Sequence, residues 1–296
     1  MTDIVINKTM DRRDLYSSDA IPIIAELNSL IRALQTRGLA VSSWYGTFDL
    51  PRGSVTVERA NRGFGYAPLE DAADDRLFPW FLYWEIVWVA LHAQFQQGQS
   101  VLDLGGSSSL FSFYLALLGC RVVTVDLQRN LVENANHVAG EMGWDLQNFV
   151  MDMRALSFDQ TFDHVTSICV FEHLRPKDRM ASVSRVRNFL RPGGRFSITF
   201  DYRNPARPMR IQSSQDVEDQ FVRHSGLRVR GNPVFADDGR NYLLQPFYLR
   251  QPLRFWKYKA YSILHGHFPI WESLRTKQAN DYTFGALFLE KATGQP

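Results

Sequence analysis

A chain of 296 residues with 45% hydrophobic content can bury a full core, which excludes general disorder and suits one elaborated α/β domain or a domain with a cap. The net charge of +2 is too balanced for a protein built around a polyanion. Residues 1–200 carry 19 Lys and Arg against 22 Asp and Glu, whereas residues 201–296 carry 14 against 9; the basic surplus in the tail suits a solvated face or an anionic substrate.

In chain order, MTDIVINKTMDRRDLY lacks the basic start and apolar run of a signal peptide. Cys120 and Cys169 fall inside apolar stretches, where thiols act as small hydrophobes, so no disulfide and a cytoplasmic, reducing location are expected. Ile24, Leu27, Leu30, Ile31 and Leu34 recur at helical spacing, and Gly38 stops that helix. Val55 to Tyr66 reads as a hairpin around Asn61-Arg62-Gly63. Asp74 or Asp75 then caps an aromatic helix within Leu77 to Phe95. Pro79, His92 and above all Glu85 near its middle argue for a buried helix rather than a membrane span.

After Gly98 strands and helices alternate, the signature of a parallel sheet with crossover helices. Strands are predicted at Ser100–Leu104, Arg121–Asp126, Asn148–Met151, His164–Val170 and Arg195–Phe200. The intervening helices are predicted at Leu110–Leu118, Arg129–Met142 and Lys177–Leu190, the last ended by Arg191-Pro192-Gly193-Gly194. A helix at Gln215–Ser225, a short strand at Leu227–Arg230 and a final strand at Tyr282–Glu290 complete the pattern. The predicted organisation is an N-terminal cap and substrate-side region (1–98), a Rossmann-like core (99–230), an aromatic and basic insertion (231–281) and a closing strand with a tail (282–296).

The sharpest local signal is VLDLGGSSSLF, Val101 to Phe111. A buried strand ends in Asp103, then a turn of small residues leads into an apolar helix. Small side chains let a ligand touch the turn, whose N–H groups face a polar cofactor. Asp126 ends the next strand, where a carboxylate can accept both hydroxyls of a ribose, and Asp152 ends the third, where it can accept from an adenine amino group. The three acids fall at carboxyl strand ends that converge on a crevice.

These residues make Val101 to Phe200 resemble the core of class I, Rossmann-like S-adenosylmethionine-dependent methyltransferases. The resemblance implies a doubly wound, mostly parallel sheet with a terminal antiparallel strand, and S-adenosylmethionine as cofactor. It also implies cofactor contacts from Asp103, Gly105, Gly106, Ser107, Ser109, Asp126, Leu127, Asp152 and Met153. Arg76, just ahead of the aromatic helix, is either a surface residue or a further candidate that reaches the cofactor carboxylate from the cap. Leu190 to Gly194 matches the turn before the family's fifth strand. Ser107 and Ser109 stand where that family usually has glycine, which reshapes the turn or adds a hydroxyl contact.

A nicotinamide-dependent oxidoreductase would want Gly-x-Gly-x-x-Gly, and the third glycine is absent here. A cofactor-binding scaffold without turnover is the alternative of a different class. Glu172-His173, directly after the fourth core strand, supplies the candidate catalytic base, with His173 first and Glu172 second. The expected acceptor is a small molecule, methylated on a hydroxyl of a glycosylated, anionic or natural-product substrate. No metal is expected, since His265-Gly-His267 is a lone pair of imidazoles and the cysteines are far apart in sequence. Arg254, Trp256, Lys257, Tyr258 and Lys259 interleave cations with aromatics, but the run is too short to make nucleic acid the expected partner.

Overall fold

A computed structural model describes residues 4, 6–41, 80–204, 211–243 and 281–294. The expected hairpin at 55–66, the cap at Asp74 or Asp75, Arg76 and most of the insertion, with His265, His267 and the 254–259 run, lie outside the described residues.

The described strands are β1 (Lys8–Thr9), β2 (Ser100–Leu104), β3 (Arg121–Asp126), β4 (Leu146–Val150), β5 (Phe162–Ile168), β6 (Leu190–Tyr202), β7 (Arg228–Val229), β8 (Tyr242–Leu243) and β9 (Asp281–Glu290). The longer helices are α1 (Ala20–Thr36), α2 (Trp80–Ala93), α3 (Leu110–Leu117), α4 (Arg129–Met142) and α5 (Pro176–Phe189). The sheet runs β1-β9-β6-β5-β2-β3-β4, and β7 and β8 also pair with β9. Strands β2 to β6 pair in parallel, whereas β9 lies antiparallel to β6. Chain order reverses at β2, which has β3 on one side and β5 on the other; the crevice at their carboxyl ends is where an open α/β sheet binds ligands.

Alternation along the strands builds the two faces. Val101 and Val122 join the core formed with α1 to α4, while the next residues, Leu102 and Val123, join the core formed with α5 and the 214–225 helix. The fold is therefore doubly wound. Helix α1 buries Ile24, Leu27, Leu30, Ile31 and Leu34 and ends at Gly38, whose φ of +69° suits glycine. Helix α2 is buried almost all round, as a helix apolar on every face must be. Its Trp84 indole donates to Asp14 Oδ2 at 2.8 Å and its Trp88 indole to the Ile6 carbonyl at 2.9 Å. No helix among the described residues is long and apolar enough to cross a membrane.

Four local expectations need correction. Strand β4 begins two residues earlier than predicted and ends one earlier, and β5 is likewise displaced, ending at Ile168 rather than Val170. Arg191 to Gly194 does not terminate α5: that helix already ends at the extended Leu190, and the Pro-Gly-Gly segment belongs to β6. Lys291 holds it there, its N–H donating to the Gly194 carbonyl and its carbonyl accepting from Gly193 N–H. The helix predicted at 215–225 contains a π-helical turn, Glu218–Val222, which turns Gln220 inward. Strand β1 was not foreseen: Lys8 pairs with Ala286 and Thr9 with Gly285. Asn7 anchors it, donating to the Asn232 carbonyl at 2.9 Å and accepting from Phe288 N–H at 2.8 Å.

Candidate active site

The turn after β2 is shaped by what its glycines avoid. Gly105 has φ +81°, and a Cβ there would lie 2.6 Å from a Val170 methyl; a Cβ at Gly106 would lie 1.7 Å from Asp103 Oδ2. Asp103 is 1% exposed. Its Oδ1 accepts from the Thr166 hydroxyl at 2.8 Å, and its Oδ2 has no hydrogen-bond partner among the described residues. Burial pushes this carboxyl up to about 7, Thr166 opposes the rise, and the charge of Asp126 adds to it. A buried acceptor oxygen behind two bare glycines is a group waiting for a donor.

The serines of the turn each bond within the protein. The left-handed residue is Ser108, with φ +63°, and neither Ser107 nor Ser109 has positive φ. The Ser107 hydroxyl bonds to Thr124 Oγ1 at 2.6 Å, and Ser108 Oγ donates to the Leu131 carbonyl at 2.6 Å. Ser109 caps α3, accepting from Ser112 N–H at 3.0 Å. All three hydroxyls thus brace the turn from the protein side.

Asp126 stands at the end of β3, its Oδ1 accepting from Gln128 N–H at 2.9 Å. Burial raises its pKa, and the N–H groups of Gln128 and Leu127 oppose that. Leu127 is 65% exposed beside it, an apolar surface of the kind a flat aromatic ring covers. The register pairs Asp126 with Val150, so Asp152 and Met153 follow alongside. Met153 is buried. The Asp152 carboxylate is held by Arg154, with Nε 2.9 Å from both oxygens, and the Arg154 guanidinium keeps its pKa low. It also caps the Met153–Ala155 turn.

Past β5, Cys169 sits at φ +56°, its N–H donating to the Thr199 carbonyl at 3.2 Å and the Thr199 hydroxyl at 3.1 Å. A 3-10 turn, Phe171–His173, follows. Glu172 is buried, while the His173 side chain is 52% exposed with Nε2 3.7 Å from Glu172 Oε1. Three further groups converge here that sequence spacing did not reveal. Asp201 on β6 has Oδ1 3.6 Å from Cys169 Sγ. Glu85 of α2 is fully buried against the same groups; burial first, then the charges of Glu172 and Asp201, raise its pKa well above the usual range. The buried guanidinium of Arg179 donates to the carbonyls of Phe171, Glu172 and Leu174 and to Gln220 Oε1. A lone carboxylate in an apolar helix was the visible signal for Glu85. Arg179 and Asp201 had none.

The glycine turn stands at the reversal of a mostly parallel sheet, where open α/β sheets bind ligands. Residues 101–194, about a third of the chain, match the family described as "Methyltransferase domain". A cypemycin N-terminal methyltransferase of Streptomyces sp is 33% identical over 111 residues, covering 37% of this chain and 44% of that protein. A ubiquinone biosynthesis O-methyltransferase of Xanthomonas euvesicatoria pv. vesicatoria is 32% identical over 111 residues, 37% of this chain and 46% of the relative. The chain thus spans less than half the length of either. The crystal structure of the [4+2]-cyclase SpnF shares the fold over 94% of this chain and 97% of its own, with a TM-score of 0.53 and 16% identity.

The residues present fit the cofactor. Gly105 and Gly106 leave the space a Cβ would fill, Asp103 Oδ2 offers a buried acceptor, and Asp126 with Leu127 offers a carboxylate beside an apolar face.

Proposed function

We propose that this chain methylates a small-molecule acceptor from S-adenosylmethionine, at a hydroxyl, in a cytoplasmic setting. The observation that carries the reading is the buried, unbonded Oδ2 of Asp103 behind Gly106, on the strand that pairs with the one ending in Asp126. In this assignment Asp103 faces the cationic amino-acid end of the cofactor, the N–H groups of the turn face its carboxylate, Asp126 accepts from the ribose hydroxyls, and Leu127 covers the adenine. When bound, the cofactor supplies an electrophilic methyl on a sulfonium. The chain then aligns the acceptor and takes its proton.

For a hydroxyl acceptor, His173 would take the acceptor's proton, with Glu172 buried beside it. His173 suits this role because its imidazole is solvent-accessible beside a buried carboxylate. The relatives' names point to an N-terminal amine in one case and to oxygen in the other, so either acceptor atom is compatible with the domain. The test is methyl transfer from labelled S-adenosylmethionine into a panel of hydroxyl and amine small molecules. Transfer that His173→Ala slows by about 10²–10⁴-fold, with unchanged cofactor affinity, is the expected result. Cofactor binding without transfer to any acceptor would favour a scaffold role instead.

A further inference from the structure

Cys169 Sγ, a carboxylate oxygen of Glu172 and one of Asp201 lie within 4.8 Å of one another. They come from the end of β5, the turn after it and the end of β6, all well-packed elements. The Cys169 Sγ to Asp201 Oδ1 separation is 3.6 Å. A tetrahedral centre with sulfur at about 2.3 Å and oxygen at about 2.0 Å places those two atoms about 3.5 Å apart. Asn204 Nδ2 holds the other oxygen of Asp201 at 2.7 Å, the kind of outer contact that orients a ligating carboxylate.

A second observation points the same way. Glu85 reaches this cluster from α2 and is fully buried. The Thr199 hydroxyl and Cys169 thiol lie near it, yet neither of its oxygens has a hydrogen-bond partner among the described residues. A buried carboxyl without a hydrogen-bond partner, beside two others and a thiol, can ionise there only with a positive charge among them.

We propose that Cys169, Glu172 and Asp201 bind one divalent cation of the zinc class, with the buried Glu85 beside them. Sulfur with carboxylate oxygen suits borderline-soft Zn²⁺ or Co²⁺ and is poor for Mg²⁺ or Ca²⁺. Binding replaces the thiol proton, which leaves to solvent, and forms a metal–sulfur bond. The site depends on no particular acceptor and on no methyl transfer.

The test uses the full chain, stripped with a chelator and titrated with Co²⁺. Saturable uptake of one equivalent is expected, with a sulfur-to-cobalt charge-transfer absorption that Zn²⁺ abolishes by displacement. Cys169→Ser removes that absorption, Cys120→Ser keeps it, and Asp201→Asn and Glu85→Gln each weaken binding by about 10–100-fold, with circular dichroism confirming the fold. No saturable uptake by the unmodified chain overturns the proposal whatever the variants do, as does an absorption that survives Cys169→Ser. S-adenosylhomocysteine binding by the stripped protein is measured alongside. Its retention without metal uptake removes only this proposal, and its loss with metal uptake intact removes only the cofactor reading.

Discussion

Arg179 Nε donates to the carbonyl oxygen of Phe171 across 2.9 Å, so a buried cation on α5 fixes the backbone of the turn that presents Glu172 and His173. The same guanidinium reaches the carbonyls of Glu172 and Leu174 at 3.3 and 3.1 Å and Gln220 from the π-helical turn. Arg179→Met leaves several buried acceptors unmet, at a cost of about 1–3 kcal/mol each before relaxation. Chemical denaturation is expected to show that loss, and turnover is expected to fall more than cofactor affinity. Arg179→Lys is not expected to rescue either, because one ammonium cannot span acceptors arranged for a planar fork. Unchanged turnover in a folded Arg179→Met protein would remove its positioning role.

Asp126→Ala removes the carboxylate assigned to the ribose without touching the core. Calorimetry with S-adenosylmethionine is expected to show binding weaker by about 2–4 kcal/mol, the worth of charge-assisted hydrogen bonds. The melting curve of the free protein should move little. An unchanged dissociation constant would displace Asp126 from the cofactor.

Gly106→Ala drives a methyl into Asp103 Oδ2, 1.7 Å from the ideal Cβ position. Stability is expected to drop by about 1–3 kcal/mol, with cofactor affinity lost. Asp103→Ala in the same chain removes the obstructing carboxyl. The double variant should therefore recover stability without recovering binding, a non-additivity that a double-mutant cycle measures. Simple additivity would mean the turn accommodates the methyl elsewhere.

Cofactor affinity should depend on pH through Asp103. Burial lifts this carboxyl from 3.8 to about 7, so the folded chain keeps a proton that the unfolded chain releases. Its contribution to stability is full below about pH 4 and is lost as pH rises through about 7. A cationic ligand favours the ionised form, so S-adenosylmethionine binding releases a proton, and affinity rises with pH towards about 7 and levels off above it. Asp103→Asn is expected to flatten that slope, and a slope that persists would assign it to another group.

The residues of VLDLGGSSSLF by themselves determined the strand, the turn and the helix that follow, because a buried strand, bare glycines and an apolar helical stripe are each short-range properties. Strands β2 and β3 and helix α4 have the bounds their sequence predicted, and Glu85 already marked α2 as buried in protein rather than lipid. Strand β1 was illegible, since two residues carry no period and their pairing with β9 is fixed by contacts from Asn7 to residues more than 200 positions away. The role of Ser108 was also hidden, because its hydroxyl donates to the Leu131 carbonyl and accepts from Asn134 Nδ2, both more than 20 positions away. Only the tertiary structure brought Glu85, Cys169, Glu172 and Asp201 together. They come from one helix, one turn and the carboxyl ends of two parallel strands, and sequence spacing does not encode the register that stacks those ends side by side.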